Sequence, residues 1–282
     1  MDNIVAAEVI QQQVAGALAE DLGGHPDYTA NLIPIDQQAT ARITTNQDMV
    51  LCGIAWAAHA FASLDAAVQL KWHKEDGDRL GAGGIIAEVT GNARSILTAE
   101  RTALNFLQTL SATATLVNQY VERVQSTNVK IMDTRKTIPG LRIAQKYAVR
   151  VGGGYNQRVG LYDGVLIKEN HIMACGGVRQ ALEFANQITP KHIPIQIEVE
   201  NRAELEEALA AGATLILLDN MSVTEIRECV LLNNGQAELE ASGNINLDNV
   251  LEYAQTGVER ISIGKLTKNI AAIDLSLRFE PQ

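Results

Sequence analysis

At 282 residues and 46% hydrophobic, the chain can bury a large core, as one big domain or two smaller ones. An aromatic share of 4% leaves that core to Ala, Leu, Ile and Val. A formal net charge of -10 with pI near 5.0 offers no excess of cations to neutralise phosphates broadly, which argues against a nucleic-acid or membrane-surface partner.

The N-terminal stretch MDNIVAAEVIQQQVAGALAED carries acids and glutamines in place of a basic region and an apolar run, so it does not read as a signal peptide. No apolar segment reaches spanning length. Cys52, Cys175 and Cys229 are scattered, odd in number and without CxxC spacing, which predicts a reducing compartment and neither a disulfide framework nor a zinc site. A soluble, cytoplasmic protein is expected. Apolar positions Val5, Val9, Val14 and Leu18 predict an amphipathic helix over Ile4–Ala19 that ends near Gly23-Gly24. From Ala39 to Gly91 the pattern turns strand-like: ARITT, MVLCG, AVQLKWH and GGIIAEVTG, with one helix near Ile54–Leu64. That predicts a small α+β domain with a mainly antiparallel sheet.

A long helix is expected over Leu97–Val124, with Thr98 as its N-cap. On that reading Arg101 falls in the first turn, where a cation meets the helix dipole unfavourably, a sign that it serves something outside the helix. A surface pair with Glu100 is the alternative. Beyond it the chain becomes rhythmic. VKIMD, DGVLIK, PIQIEVE, TLILLD, AELEAS and RISIG are short apolar runs, most of them separated by helical stretches, the clearest at Val178–Ile188, Arg202–Ala210, Val223–Leu232 and Leu247–Gln255. Continuous apolar strands alternating with helices predict a parallel sheet covered on its outside. Their number, and the lack of GxGxxG after the first strand, favour a βα barrel over a doubly wound sheet.

The region Asp133–His171, DTRKTIPGLRIAQKYAVRVGGGYNQRVGLYDGVLIKENH, concentrates Arg135, Lys136, Arg142, Lys146, Arg150, Arg158 and Lys168 in an acidic chain. Arg142, Lys146 and Arg150, spaced by four, read as a solvated helix face. Arg135, Lys136, Arg158 and Lys168 fit no helical stripe and point to a polyanion pocket, since guanidinium forks match carboxylate and phosphate oxygens in pairs. The predicted strands end at Asp133, Lys168, Glu198 or Glu200, Asp219, Ser242-Gly243 and Gly264, which a barrel would gather on one catalytic rim. Glu198 and Asp219 are hard oxygen ligands suited to Mg2+. Ser242-Gly243-Asn244 and Gly264 lie where strands meet helices and free N–H groups can cradle a phosphate. Lys168 is alternatively a Schiff-base lysine. No Ser-His-Asp or Cys-His nucleophile stands out.

On DTRKTIPGLR, KYAVRVGGGYNQRVGLYDGVLIKENH, LLDNM, LEASGNI, SIGKLTKN and AERTALNFLQ, the chain resembles the quinolinate phosphoribosyltransferase family, in the right order over almost its whole length. The resemblance implies an N-terminal α+β sandwich over residues 1–111, with residues 266–282 packing back on it. It also implies an incomplete, seven-stranded α/β barrel over residues 112–265. A homodimer is implied, in which one subunit's N-terminal region covers the other's barrel. The implied reaction joins quinolinate to 5-phosphoribosyl-1-pyrophosphate with Mg2+, giving nicotinate mononucleotide, pyrophosphate and CO2.

Residue by residue, the resemblance puts Arg135, Arg158 and Lys168 around the two quinolinate carboxylates, with Arg101 reaching in from the partner. Lys136 would neutralise phosphate or pyrophosphate. Glu198 and Asp219 would hold the magnesium–pyrophosphate end, and Ser242, Gly243 and Gly264 the 5-phosphate. Lys136, Lys168, Glu198 and Asp219 are the residues expected to act in catalysis. Glu200 shares a strand face with Glu198, and the motif favours Glu198. Two positions depart from the family pattern. Gln157 stands where GGGxNHR has His, and an amide can hydrogen-bond a carboxylate without carrying charge. Lys268 stands where His is often found and keeps a cation near the phosphate. Rival readings are a paralogous transferase for another ring acid, a nicotinate-specific transferase that releases no CO2, and a silent phosphate-binding barrel.

Overall fold

A computed structural model describes residues 5–281. In chain order the elements are α1 (Ala7–Leu22), β1 (Gln38–Thr45), β2 (Met49–Val50), α2 (Ile54–Leu64), β3 (Gln69–Trp72), β4 (Arg79–Leu80), β5 (Ile85–Asn92), α3 (Ala93–Arg123), β6 (Lys130–Met132) and α4 (Arg142–Val151). There follow β7 (Val165–Ile167), α5 (Glu169–Cys175), α6 (Val178–Ile188), β8 (Ile195–Val199), α7 (Arg202–Ala210), β9 (Leu215–Asp219) and α8 (Val223–Asn233). The chain closes with β10 (Glu238–Ser242), α9 (Val250–Ala254), β11 (Arg260–Ser262), α10 (Lys265–Lys268) and β12 (Leu275–Phe279).

Two compact units form. One runs through Asn118, takes in Ile138–Gly153 and resumes at Asn269; the other holds Gln119–Thr137 and Gly154–Lys268. In the first unit an antiparallel sheet has the order β12-β1-β5-β3, and β2 and β4 pair separately. Ile43, Ile86, Trp56, Phe61, Leu104 and Leu107 are fully buried in its core. Asp76 caps α2 by accepting the Gly53 N–H at 3.0 Å and the Ile54 N–H at 3.2 Å, and the Tyr147 hydroxyl donates to its Oδ2 at 2.7 Å. The last bond fastens α4 within this unit. Ile4, the expected first residue of α1, lies outside the described residues.

Several expectations need correction. The long helix begins at Ala93, and its cap is Asn92, whose Oδ1 accepts the Arg94 N–H at 3.0 Å and the Ser95 N–H at 3.3 Å. Asn92 is as good a cap as Thr. Thr98 sits inside the helix, its hydroxyl 2.9 Å from the Arg94 carbonyl and 3.0 Å from Asp27 Oδ2. Arg101 therefore lies about two turns in, and the dipole argument for it falls away. Nor is the stripe on α4 solvated, for Lys146 is only 3% exposed.

In the second unit the parallel sheet has the order β6-β11-β10-β9-β8-β7. All six expected strands are present. Tyr155 forms one parallel bridge to Met132, on the edge of β6 away from β11. Strands β8, β9 and β10 are buried along most of their length, which is why they read as continuous apolar runs. The apolar face of α6, Val178, Ala181, Leu182 and Ala185, is buried at the spacing of a helix stripe. The sheet is rolled up. Laid flat, five strand spacings would separate the Tyr155 segment from β8, roughly 24 Å, yet Gln157 Nε2 lies 3.3 Å from Gln196 Oε1 on β8.

Candidate active site

Parallel strands of one rolled sheet end on the same side, so their C-terminal residues meet whatever their separation in sequence. In the second unit the expected site residues fall into three groups, two at these C-terminal ends and a third whose cavity is lined by residues at the starts of β7, β8, β9 and β11.

The first lies at the ends of β7, β8 and β9. Lys168 follows β7, and its backbone N–H donates to His171 Nδ1 at 3.0 Å, which fixes the turn into α5. Its Nζ meets Glu198 Oε2 at 2.7 Å, with side-chain exposures of 43% and 7%. Burial pushes the Glu198 carboxyl up; Lys168 holds it down, and the Asp219 and Glu169 charges push it up again. Glu198 and Asp219 are therefore electrostatic neighbours. Glu200 is exposed past the strand end, and its N–H donates to Glu204. Asn220, which the sequence reading left out, has φ 56° and donates to Asp219 Oδ2 at 2.6 Å. An Asn after an apolar strand was the available signal, because Asn tolerates the left-handed region.

The turn after β10 adjoins this group. Gly243 has φ 97°, and a β-carbon there would run into Asn220, whose backbone N would be 2.9 Å away. Asn244 has φ 53°, and the Asn220 N–H donates to the Ser242 carbonyl at 2.9 Å. Ser242, Gly243 and Asn220 thus form one continuous lip. Only Gly satisfies both the backbone angle and the close approach.

The second group lies at the ends of β6 and β11. The Lys136 N–H donates to Thr134 Oγ1 at 3.0 Å, and the Thr267 hydroxyl donates to the Lys136 carbonyl at 2.8 Å. A β-carbon on Gly264 would lie 3.0 Å from Lys136 Cδ, so the glycine makes room for the lysine stem. Lys268 closes α10, its N–H 3.4 Å from the Gly264 carbonyl.

Arg135, Gln157 and Arg158 make the third. Arg158 lines a cavity of about 200 Å³ with Gln157, Gly164, Gln196 and Arg260, and its Nη1 donates to the Gly164 carbonyl at 2.9 Å. Burial lowers the Arg158 pKa, as does the charge of Arg135, while Asp163 opposes both. The Arg135 charge thus acts on Arg158, so the two guanidiniums belong to one cationic neighbourhood. The Gln157 side-chain amide turns inward and donates to Glu240 Oε2 on β10. Gln196 Nε2 donates to the same oxygen at 3.1 Å. Burial drives the Glu240 carboxyl up, against the Ser262 hydroxyl, the two amides and the Arg260 charge. Neither Glu240 nor Gln196 was singled out in the sequence.

Arg101 belongs to the first unit. It is exposed, and with Gln12, Gln13, Asn105 and Gly140 it lines a concavity of about 820 Å³. Among the described residues no group of three or more His, Cys, Asp or Glu side chains is placed to hold a metal ion, and no helix is long and apolar enough to cross a membrane.

Residues 27–111 match the family described as quinolinate phosphoribosyl transferase, N-terminal domain, and residues 113–278 match its C-terminal domain. The probable carboxylating nicotinate-nucleotide pyrophosphorylase of Bacillus subtilis (strain 168) is 42% identical over 258 residues, 92% of this chain and 89% of that one. The mitochondrial decarboxylating quinolinate phosphoribosyltransferase 2a of Nicotiana tabacum is 40% identical, over 94% of this chain and 81% of its own. Among solved structures, the nicotinate-nucleotide pyrophosphorylase of Francisella tularensis superposes with a TM-score of 0.95 at 44% identity, covering 99% of this chain and 100% of that one.

Proposed function

Because the chain belongs to the quinolinate phosphoribosyltransferase family, we propose that it transfers the phosphoribosyl group of 5-phosphoribosyl-1-pyrophosphate to the ring nitrogen of quinolinate. CO2 is lost, and nicotinate mononucleotide and pyrophosphate are released. The observation that carries this reading is the charge set gathered in one unit: the Arg135 and Arg158 guanidiniums, and the Lys168–Glu198 ion pair at the strand ends beside Asp219. A pyridine diacid and a sugar diphosphate require both kinds of charge together.

Arg135, Arg158 and Lys168 hold the two ring carboxylates. Ser242 and Gly243, with Gly264 and Lys268 beyond them, take the 5-phosphate. Lys136 takes charge from the departing pyrophosphate. Glu198 and Asp219 fit Mg2+, which binds one or two protein carboxylates and completes its shell from water and substrate phosphate; when bound, it would supply countercharge to the leaving group. The pyridine nitrogen already has its lone pair, so the ribosyl transfer needs no general base. The protein's part is positioning and fixed charge. Once the nitrogen is quaternary, loss of the adjacent carboxylate leaves a carbanion beside a positive charge. Lys168 Nζ is engaged by the Glu198 carboxylate at 2.7 Å, a charge partner in place of a free nucleophile, which counts against Schiff-base chemistry.

The Tyr155 segment supplies the seventh, incomplete strand of the barrel. The active assembly is a cytoplasmic homodimer in which the exposed Arg101 of each chain is donated to the partner's site. One assay tests the reaction: incubation with quinolinate, phosphoribosyl pyrophosphate and Mg2+, followed for nicotinate mononucleotide and CO2. Product without CO2 from nicotinate in place of quinolinate would replace this reading with a nicotinate-specific one.

A further inference from the structure

Glu240 is 1% exposed in the middle of β10, and the reaction as proposed gives it nothing to do. Its neighbour in register on β9 is Leu217, so the same layer of the sheet accepts an apolar side chain. A carboxyl group kept there bears a desolvation cost that only its hydrogen bonds offset. Those bonds come from two amides, and the Ser262 hydroxyl adds to them. Gln196 reaches Glu240 Oε2 at 3.1 Å, and Gln157 reaches the same oxygen. Oε1 is buried without a well-formed hydrogen bond, so the two amides on Oε2 matter all the more.

Gln157 is held from its other side as well. Its backbone N–H donates to Asp133 Oδ1 at 2.8 Å, and the Asn156 amide donates to Asp133 Oδ2 at 2.6 Å. The main chain of residues 156–157 is thereby fixed to the end of β6, and the Gln157 side chain to β8 and β10. The next residue is Arg158. Its stem packs on Gly164, where a β-carbon would come within 3.0 Å of Arg158 Cβ, and its guanidinium stands near Arg135. Small rotations of residue 157 would change the separation of the two guanidiniums.

We propose that Glu240 is a positioning residue: acting through Gln157, it fixes the 156–158 segment and so sets where Arg158 meets a substrate carboxylate. Position 157 then contributes orientation, and Arg158 the charge. The inference rests on Arg158 binding a quinolinate carboxylate, as proposed above. Networks of this kind act as units, so deleting any member loosens the others.

The test compares the full-length wild type with Gln157→Ala, Glu240→Leu, Glu240→Gln and the double variant Gln157→Ala/Glu240→Leu. Readouts are KM and kcat for each substrate, quinolinate binding by calorimetry, and thermal melting. Gln157→Ala and Glu240→Leu should each raise the quinolinate KM about tenfold, on the scale of one lost orienting contact. The KM for phosphoribosyl pyrophosphate should stay within about twofold, and the double variant within about twofold of the worse single one. Glu240→Gln retains a carbonyl acceptor for the Gln157 amide and should stay within about threefold of the wild type. Unchanged quinolinate KM in Gln157→Ala, multiplying losses in the double variant, or equal rises in both KM values would each overturn the assignment. Should Glu240→Leu fail to fold, calorimetry on Gln157→Ala and Glu240→Gln decides: tenfold weaker quinolinate binding in the first alone supports it, and equal binding in both refutes it. A wild type inactive with both substrates defeats the proposed reaction itself; an active wild type with unmoved variants defeats only this inference.

Discussion

Replacing Lys168 with Met keeps the stem and removes the charge, and two separable losses should follow. The first concerns stability. Glu198 loses the ammonium 2.7 Å away while its own side chain stays 7% exposed. Stranding a buried carboxylate costs about 3–5 kcal/mol, and an exposed pair is worth at most about 1 kcal/mol. The Lys168 head is 43% exposed, so solvent screens the pair and a value of about 2 kcal/mol is expected. At roughly 2–4 °C per kcal/mol for a domain of this size, Tm should fall by about 4–8 °C. The second loss concerns activity. A charge-assisted contact to a substrate carboxylate is worth about 1.5–3 kcal/mol, so kcat/KM for quinolinate should fall by roughly 10- to 150-fold. Adding Glu198→Gln separates the two. The neutral amide relieves the stranded charge, so the double variant should regain most of the lost Tm and none of the activity. Thermal melts and initial rates of nicotinate mononucleotide formation measure both. If Tm does not recover, the ion pair is not the source of the stability loss; if the single variant loses less than threefold in kcat/KM, Lys168 does not hold substrate.

Further predictions concern other parts of the molecule. Gly243→Ala must adopt φ near 97° against the Asn220 backbone, so it should lose at least about 1 kcal/mol of stability and raise the KM for phosphoribosyl pyrophosphate more than that for quinolinate; unchanged kinetics would remove this turn from the phosphate site. Mixing Arg101→Ala chains with Lys168→Met chains should restore partial activity, because some mixed dimers keep one intact site; no restoration would place Arg101 outside the partner's site. Burial is the main influence on Asp76 and raises its carboxyl pKa. An acid whose folded-state pKa is raised contributes stability below its unfolded value, lost as pH rises through the folded value. Asp76→Asn keeps an acceptor for the α2 cap and abolishes that titration, so its Tm relative to wild type should improve as pH climbs from about 3.8 into the neutral range. A Tm difference constant over that interval would show that Asp76 is not the titrating group.

Much of the second unit was legible because its strands are buried on both faces and so leave long apolar runs in the sequence. The bounds of α6 and α7 could be read from helical spacing alone, and the charged residues closing those runs marked the rim. What stayed hidden depends on distant partners. Residues 275–279 form a strand where β1 offers them an edge; LSLRF does alternate apolar and polar residues, a short signal passed over because its partner lies far away in the sequence. The α4 cations looked solvated because a spacing of four describes a helix face and says nothing about what lies against it. Thr98 reads as the cap, and Asn92 goes unweighed although the strand-like run ends at Gly91, because the helical spacing is followed only from Leu97 onward. Glu240 was passed over inside LEAS, although Glu238, Glu240 and Ser242 share one face by strict alternation, and two acids on a buried face are a signal.

The pairing of β12 with β1 joins Ala41 to Phe279 and Thr45 to Leu275. A ribosome must therefore travel from Thr45 to beyond Leu275 before the outer margin of β1 gains its mate. Until then a nascent molecule exposes a row of unsatisfied amides and carbonyls, the kind of border that recruits strangers. Variants truncated before Leu275 should consequently precipitate during expression well before any fault in chemistry could be measured.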